Sequence, residues 1–361
     1  MTSPFGTPGV PQAASLGPTD EIVPSQPETP PTLPPFAPPT RRALPGSLVR
    51  NLGLVLAILA LFVVGTITAG SRFASIPNFL VILTAAATIG VISVGMTFVI
   101  TGAGIDLSVG SVLGLSAVWA STWATQDLAS RTHWIVIVIT AVVVGAAAGL
   151  VNGLLVAYGK VVAFIATLAM MVAARGLAEI ISAKRTQVVN DRGFLDFMGD
   201  RFLGLPMLVW ISVAVAAGGW VLLNRTTFGR RTIAVGGNPE AARLAGINVR
   251  AHTTWLYVVC GACAGIAAVM MLSRSPSGSS THGMGYELDA IAAVVVGGTL
   301  LVGGRGTIVG TIFGVLVFAT LSNLFTLNNL SISAQAIAKG VIIVVAVLLQ
   351  QQFAARSRRT T

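Results

Sequence analysis

Long apolar runs recur along this chain, and their length constrains its fold more than any other feature. They cover residues 52–69, 79–100, 108–124, 134–158, 162–181, 205–223, 253–272, 291–302, 307–324 and 332–349. An α-helix needs roughly 20 apolar residues to cross the hydrocarbon core of a bilayer. The chain is 54% hydrophobic and only 9% charged, whereas a soluble domain carries about a quarter charged residues. The sequence therefore predicts an all-α fold, a polytopic transmembrane helical bundle.

The number of spans depends on two of these runs. The third and the eighth, residues 108–124 and 291–302, are short for a hydrocarbon core. The bundle has about ten spans if every run crosses the membrane, and eight if the two short runs are re-entrant. Interrupted helices are expected near residues 102–110 and 303–306, because glycines cluster there.

The polar segments predict the topology. Residues 1–45 are rich in Pro, Ser and Thr, and they are predicted to form a disordered tail because they cannot bury enough apolar surface to fold. Basic residues hold this tail in the cytoplasm: Arg41, Arg42 and Arg50. The basic segment 224–252 and the basic tail 353–361 also lie inside when ten spans are threaded from there. Both termini are therefore predicted to be cytoplasmic, with a transmembrane domain over residues 46–352.

A short helix is predicted within the basic segment 224–252. Asn238 can accept backbone hydrogen bonds as an N-cap, and Pro239 suits the first helical position. Gly246 suits the left-handed position that follows a helix. The body of this helix, residues 239–245, carries one small apolar face: Ala241, Leu244 and Ala245.

So short a helix is marginal alone in water, so it must pack on something. Two interpretations remain open. The helix either lies on its own protein or docks onto a soluble partner.

An acidic residue lies between the second and third apolar runs. Asp106 is flanked by the glycines of the sequence TGAGIDLSVG. A charge at the centre of a bilayer costs about 2.5–3.5 kcal/mol on insertion scales, and broken helices at that depth line cavities or are buried in protein. Asp106 is therefore interpreted as part of the wall or gate of a pathway, or as a capping residue that accepts a backbone N–H from Val109 or a neighbour. The two roles are compatible.

Glycines recur every four residues in three of the runs, which places them on one helix face each. They are Gly145, Gly149 and Gly153, then Gly261 and Gly265, then Gly306, Gly310 and Gly314. Missing side chains let helix backbones approach closely. The sequence therefore predicts tight helix packing at these positions.

A few other polar residues interrupt the apolar runs. Asn152 and Thr167 are isolated, whereas Arg175 and Glu179 are four residues apart and favour an ion pair on one helix. Lys339 is expected to pair with an acid on another helix or to extend to the membrane interface. Two further residues, Cys260 and Cys263, are interpreted as small packing residues, since no electropositive pocket surrounds them.

No catalytic pattern is present in the sequence. The segment GLLVAYGK has five residues between its glycines where a phosphate-binding loop needs four, and no Ser or Thr follows its lysine. The three histidines are scattered without ligand spacing, which argues against a metal site. The net charge of +10 comes mostly from basic residues at the ends of apolar runs, a topology pattern that does not favour nucleic-acid binding. The chain is therefore predicted to be no enzyme and to bind no cofactor.

Four segments, in this order and spacing, carry a resemblance to a known family. They are TGAGIDLSVGSVLGLS, FIATLAMMVAARGLA, AVGGNPEAARLAGINV and ELDAIAAVVVGGTLLVGGRGTIVGTIFGVLV. They resemble the membrane permease subunits of bacterial ABC importers for monosaccharides, in the ribose, xylose and galactose group. The resemblance covers nearly the whole chain outside the Pro-rich tail.

This resemblance implies a multi-pass permease of the bacterial cell membrane, in contact with membrane lipid. It implies a homo- or heterodimer with a second permease subunit, sugar delivery by an extracytoplasmic binding protein, and ATP hydrolysis on a separate cytoplasmic subunit. The residues that would couple to this ATPase are Asn238, Pro239, Glu240, Ala241, Arg243, Leu244 and Gly246. The residues that would line or gate the pathway are Asp106, Leu107, Ser108, Asn152 and Thr167.

Other functions remain open at this point. The same machinery could carry branched-chain amino acids or a sugar-like signal molecule. An ion-coupled secondary transporter is a second alternative, although such proteins often place several carboxylates at the midplane, and only Asp106 and Glu179 stand out here. A membrane-embedded enzyme is disfavoured by the missing acid–base cluster.

Overall fold

The computed structural model describes residues 46–342 and residue 344, with side chains from residue 51 onward. The predicted tails at 1–45 and 353–361 and the end of the tenth apolar run lie outside the described residues. Within that range the protein is mostly helical, as predicted. The membrane orientation of the chain stays a prediction.

The helices, in chain order, are α1 (Gly46–Ala69), α2 (Ile76–Thr101), α3 (Val109–Ala120), α4 (Trp123–Arg131), α5 (Ile135–Ala157), α6 (Ala163–Ser182), α7 (Arg192–Gly199), α8 (Met207–Arg225), α9 (Thr227–Gly237), α10 (Pro239–Leu244), α11 (Val249–Arg274), α12 (Tyr286–Val296), α13 (Ile308–Leu327) and α14 (Ile332–Ile342). A 3-10 turn, Gly70–Arg72, follows α1. Seven helices are long and apolar enough to cross a membrane: α1, α2, α5, α6, α8, α11 and α13.

Short strands join the loops at one end of the bundle. The first pair is antiparallel, with β1 (Gln187–Val188) against β4 (Ser277–Gly278). The second is the hairpin of β2 (Arg201–Phe202) and β3 (Leu205–Pro206). The basic segment 224–252 lies at the other end of the bundle, which we call the basic end. We call the end that carries the strands the opposite end.

The third and eighth apolar runs form helices too short to cross a membrane. Helix α3 has 12 residues and α12 has 11, so they are about 18 and about 16 Å long, against a hydrocarbon core of about 30 Å. A non-helical segment, 102–108, precedes α3, and another, 297–307, follows α12. The interruptions expected near 102–110 and 303–306 fall in these segments. The expected count of ten spans is not confirmed, since the described residues contain seven long apolar helices.

The glycines at four-residue spacing lie where two backbones meet. A Cβ atom on Gly145 would come within 2.9 Å of the Gly265 nitrogen and would overlap the Gly261 carbonyl oxygen. Gly149 and Gly153 of α5 meet α11 in the same way, at the backbones of Tyr257 and Thr254. Helices α5 and α11 therefore pack backbone to backbone, which larger side chains would prevent.

The glycines of the ninth run make equivalent contacts. Gly310 and Gly314 pack against the backbone of Gly297 and Ala293, at the end of α12, while Gly306 packs against the side chain of Thr101. Helix α13 is thereby held directly against the short helix α12.

The two predicted charge pairs have different outcomes. The ion pair of Arg175 with Glu179 is wrong: within the described residues, Arg175 instead donates hydrogen bonds to the carbonyl oxygens of Ser280 and His282, the latter at 3.1 Å. The loop after α11 supplies these acceptors, so the guanidinium does not need Glu179. Lys339 does pair with an acid on another helix, since its Nζ lies 2.9 Å from an oxygen of Asp289 on α12.

Candidate functional site

Two complete helices, α9 and α10, lie within the basic segment 224–252, and only α10 was predicted. Thr226 caps α9 by accepting a hydrogen bond from the Gly229 N–H at 3.4 Å. The buried residues of α9 are Gly229, Thr232, Val235 and Gly236. Their spacing of three to four residues is the pattern that predicts this helix, but the glycines in it lower helix propensity and hide it.

Helix α10 begins as the sequence predicts. The side-chain oxygen of Asn238 accepts the N–H groups of Glu240 and Ala241, at 3.1 and 3.0 Å. The helix ends at Leu244, one residue earlier than expected, and Gly246 has a φ of +82°, in the left-handed region that favours glycine. The local sequence therefore fixes both ends of α10.

Helix α10 presents an apolar surface to solvent. Ala242 alone packs inward, whereas Leu244 is 76% exposed, and Ala241 and Ala245 are exposed beside it. Arg243 donates a hydrogen bond from its Nε to Glu240 at 3.1 Å, and this contact lowers the pKa of the Glu240 carboxyl. The exposed apolar face is thus bordered by an exposed ion pair.

The end of α9 touches both interrupted segments at one place, which we call the glycine junction: Thr101, Ala103, Gly236, Gly303 and Gly304. The Gly304 N–H donates to the Thr101 carbonyl oxygen at 2.9 Å. A Cβ atom on Gly236 would lie 2.7 Å from the Gly304 nitrogen and would overlap the Thr101 carbonyl oxygen. A Cβ atom on Gly303 would lie 2.7 Å from the Gly236 carbonyl oxygen and 2.6 Å from the Ala103 Cβ. The segment that carries α10 is therefore in backbone contact with the start of 102–108 and with 297–307.

A buried hydrogen-bond network holds the Asp106 segment. One carboxylate oxygen of Asp106 accepts from the backbone N–H of Ser108 at 2.9 Å and from its hydroxyl at 2.6 Å. The side-chain amide of Asn152, on α5, donates to the same hydroxyl at 2.9 Å. All three side chains are at most 1% exposed. Asp106 therefore caps the turn before α3, as expected, by accepting the N–H of Ser108, the neighbour of Val109.

The neighbouring carbonyl of Ile105 accepts a hydrogen bond from another helix. The Tyr257 hydroxyl of α11 donates to it at 3.4 Å, and the Thr167 hydroxyl of α6 lies at 3.5 Å while also donating to Ala163 at 2.9 Å. Leu107 is half-buried in this segment. The structure therefore brings together all five residues expected to line a pathway, but packs four of them inside the bundle. Their role in transport stays a prediction.

Some residues of this region could not be identified from any pattern in the sequence. The Tyr257 and Cys260 side chains contact the Asp106 segment from α11, yet each lies in an ordinary apolar run. Gly236 and Gly304 are likewise distant in sequence from the residues they touch. Among the described residues, no group of His, Cys, Asp and Glu side chains is arranged to hold a metal ion.

Comparisons with known proteins give relatives over most of the chain. The family model described as branched-chain amino acid transport system / permease component matches residues 78–349. The ribose import permease protein RbsC of Escherichia coli (strain K12) is 39% identical over 309 residues, which cover 84% of this chain and 94% of that relative.

Two further relatives are also similar over most of the chain. The ribose import permease protein RbsC of Bacillus subtilis (strain 168) is 40% identical over 84% of this chain and 94% of its own length. The L-arabinose ABC transporter permease protein AraH of Azospirillum brasilense is 36% identical over 88% of this chain and 92% of its own length. No solved structure matches the chain.

Proposed function

The chain belongs to the branched-chain amino acid transport system / permease component family, and we propose that it is the permease subunit of an ABC importer for a monosaccharide. It is a multi-pass membrane protein and a transport subunit, not an enzyme. The observation that carries the choice of cargo is the identity of 39–40% to ribose permeases over 84% of the chain.

The family description names branched-chain amino acids, whereas the relatives above are permeases for ribose and arabinose. A pentose is therefore the first cargo to test. We expect deletion of the gene to abolish the uptake of labelled ribose or arabinose by whole cells and to leave leucine uptake unchanged. Loss of leucine uptake alone would assign the chain to amino acid import.

Other subunits complete this machine. ATP hydrolysis takes place on a separate cytoplasmic subunit, sugar is delivered by an extracytoplasmic binding protein, and a second permease chain completes the pathway. Support for the ATPase contact comes from the size of α10, because a helix of six residues is marginal alone in water and only its Ala242 packs inward. The unpredicted helix α9 supports it further, because it links α10 to the interrupted segments through the glycine junction. Movement of α10 would then shift segments 102–108 and 297–307.

Leu244→Asp tests the contact with the ATPase. The change places a charge on the apolar face of α10, and burying an unpaired charge is costly. We expect wild-type permease in lipid nanodiscs to co-purify an ATP-hydrolysing subunit and the variant to lose it, with affinity at least about tenfold weaker.

Leu203→Asp is the matched control. Leu203 is 77% exposed, almost the same as Leu244, but it lies at the opposite end of the bundle. Its φ of +52° suits aspartate better than leucine. The Leu203→Asp variant should still co-purify the ATP-hydrolysing subunit. If wild type binds no ATPase, the importer assignment fails, and the ion-coupled transporter becomes the leading alternative.

A further inference from the structure

A groove of about 450 Å³ lies between α8, α9 and α11 at the basic end. This volume is in the range of small-molecule sites, about 300–1,000 Å³. The network around Asp106 and the apolar face of α10 do not include its lining residues. The groove is therefore separate from both of these features.

One part of the groove is apolar and lies on helices that can cross a membrane. Leu222 comes from α8, while Trp255 and Val259 come from α11. Val259 is ten residues into α11, which places it about 15 Å along that helix. Trp255 is 59% exposed, and tryptophan is enriched at the membrane–water interface. With Trp255 at the interface, Val259 lies one helical turn further along α11, on the hydrocarbon side.

The other part of the groove is polar and cationic. It is lined by Arg231 of α9 and by Asn248, the residue that caps α11. Arg231 is exposed and has no salt bridge within the described part of the chain. The only acid of the basic segment, Glu240, is already paired with Arg243. Positive charge at this end of the groove is therefore not neutralised by the segment itself.

The wall between the two parts is rigid. His252 is buried, and its ring nitrogen lies 2.9 Å from the Thr232 hydroxyl of α9. The Phe228 ring packs against the His252 ring with centroids 4.7 Å apart. These contacts hold α9 against α11, so the cationic and apolar parts keep a fixed separation.

We propose that this groove binds an anionic glycerophospholipid. Its phosphate lies against Arg231 and Asn248, and one acyl chain lies along Leu222, Trp255 and Val259. Basic pockets between membrane helices on the cytoplasmic side bind anionic headgroups through this combination of charge and apolar surface. The proposal requires that α8 and α11 lie in a bilayer with the basic end at the cytoplasmic surface, and it does not depend on the cargo.

The test measures lipid retained by the full-length permease in native mass spectrometry. The protein is exchanged into detergent with phosphatidylglycerol or with phosphatidylcholine, and wild type is compared with Arg231→Gln and Arg231→Lys. We expect Arg231→Gln to lower phosphatidylglycerol binding about fivefold, as for loss of one cation near an anionic surface. Arg231→Lys should retain most of the binding, and phosphatidylcholine retention should not change in either variant.

Arg230→Gln is the matched control, because Arg230 is the adjacent exposed arginine and does not line the groove. It should bind phosphatidylglycerol as wild type does. An equal loss in Arg230→Gln and Arg231→Gln overturns the proposal in favour of diffuse attraction between charges. Displacement of the lipid by an added ATP-binding subunit overturns it as well, because the groove would then be a protein-docking surface. Failure of the ATPase to bind wild-type permease affects only the importer assignment.

Discussion

Gly236→Ala is expected to abolish transport, because the added methyl group has no space at the glycine junction. Its Cβ would overlap the Thr101 carbonyl oxygen and lie 2.7 Å from the Gly304 nitrogen, and both of these groups are backbone. Overpacking costs about 1–3 kcal/mol and forces backbone shifts. The shift would separate α9 from the segments it contacts, so we expect sugar uptake in proteoliposomes to fall at least about tenfold while ATP hydrolysis continues.

Gly237→Ala provides the control within the same helix. A Cβ atom on Gly237 meets only the Gly304 Cα, at 3.9 Å, which is an ordinary van der Waals distance. This variant also loses one glycine near the end of α9, so it reproduces any change in helix propensity. It should transport like wild type. Equal transport by the two variants would show that the junction does not link α9 to the pathway.

Asp106→Ala is expected to lower both the stability of the protein and its transport rate. It removes the acceptor of the Ser108 N–H and of the Ser108 hydroxyl, both of which are buried. Each buried group left without a partner costs about 1–3 kcal/mol, so we expect the unfolding free energy to fall by about 3 kcal/mol. The start of α3 would move with this turn, and transport should drop at least about tenfold while the ATPase remains bound.

Asp106→Asn separates the hydrogen bonds from the charge. The amide oxygen can still accept from Ser108, so we expect the variant to fold with near wild-type stability and to retain transport. A variant that folds normally but transports as poorly as Asp106→Ala would show that the carboxylate charge itself is needed. Transport assays and thermal unfolding of the same preparations distinguish these outcomes.

Features that depend on neighbouring residues could be predicted from the sequence. The cap by Asn238, the left-handed Gly246 and the break before α3 all follow from residues within one or two turns of one another. The four-residue glycine spacing predicts close packing, since it needs only helical geometry.

Features that depend on contacts between distant segments could not be predicted in the same way. Arg175 lies next to Glu179 in helical geometry, yet it donates to carbonyl oxygens more than 100 residues away. The partner of Gly236 is a backbone carbonyl, which every residue possesses, so no residue type marks it. Helix α9 was not predicted because the two glycines on its buried face lower helix propensity and obscure the spacing of that face.

The hydrogen bonds around Asp106 also set an order in which the protein can be assembled as it is synthesised. Asn152 follows its partner Ser108 by 44 residues, and Tyr257 follows its partner Ile105 by 152. Until the ribosome has produced α11, the Ile105 carbonyl lacks that donor, and an unsatisfied backbone group costs several kcal/mol in lipid. All the hydrogen-bond partners of segment 102–108 are therefore present only after most of the chain has been translated, although the segment belongs to the first third of the sequence.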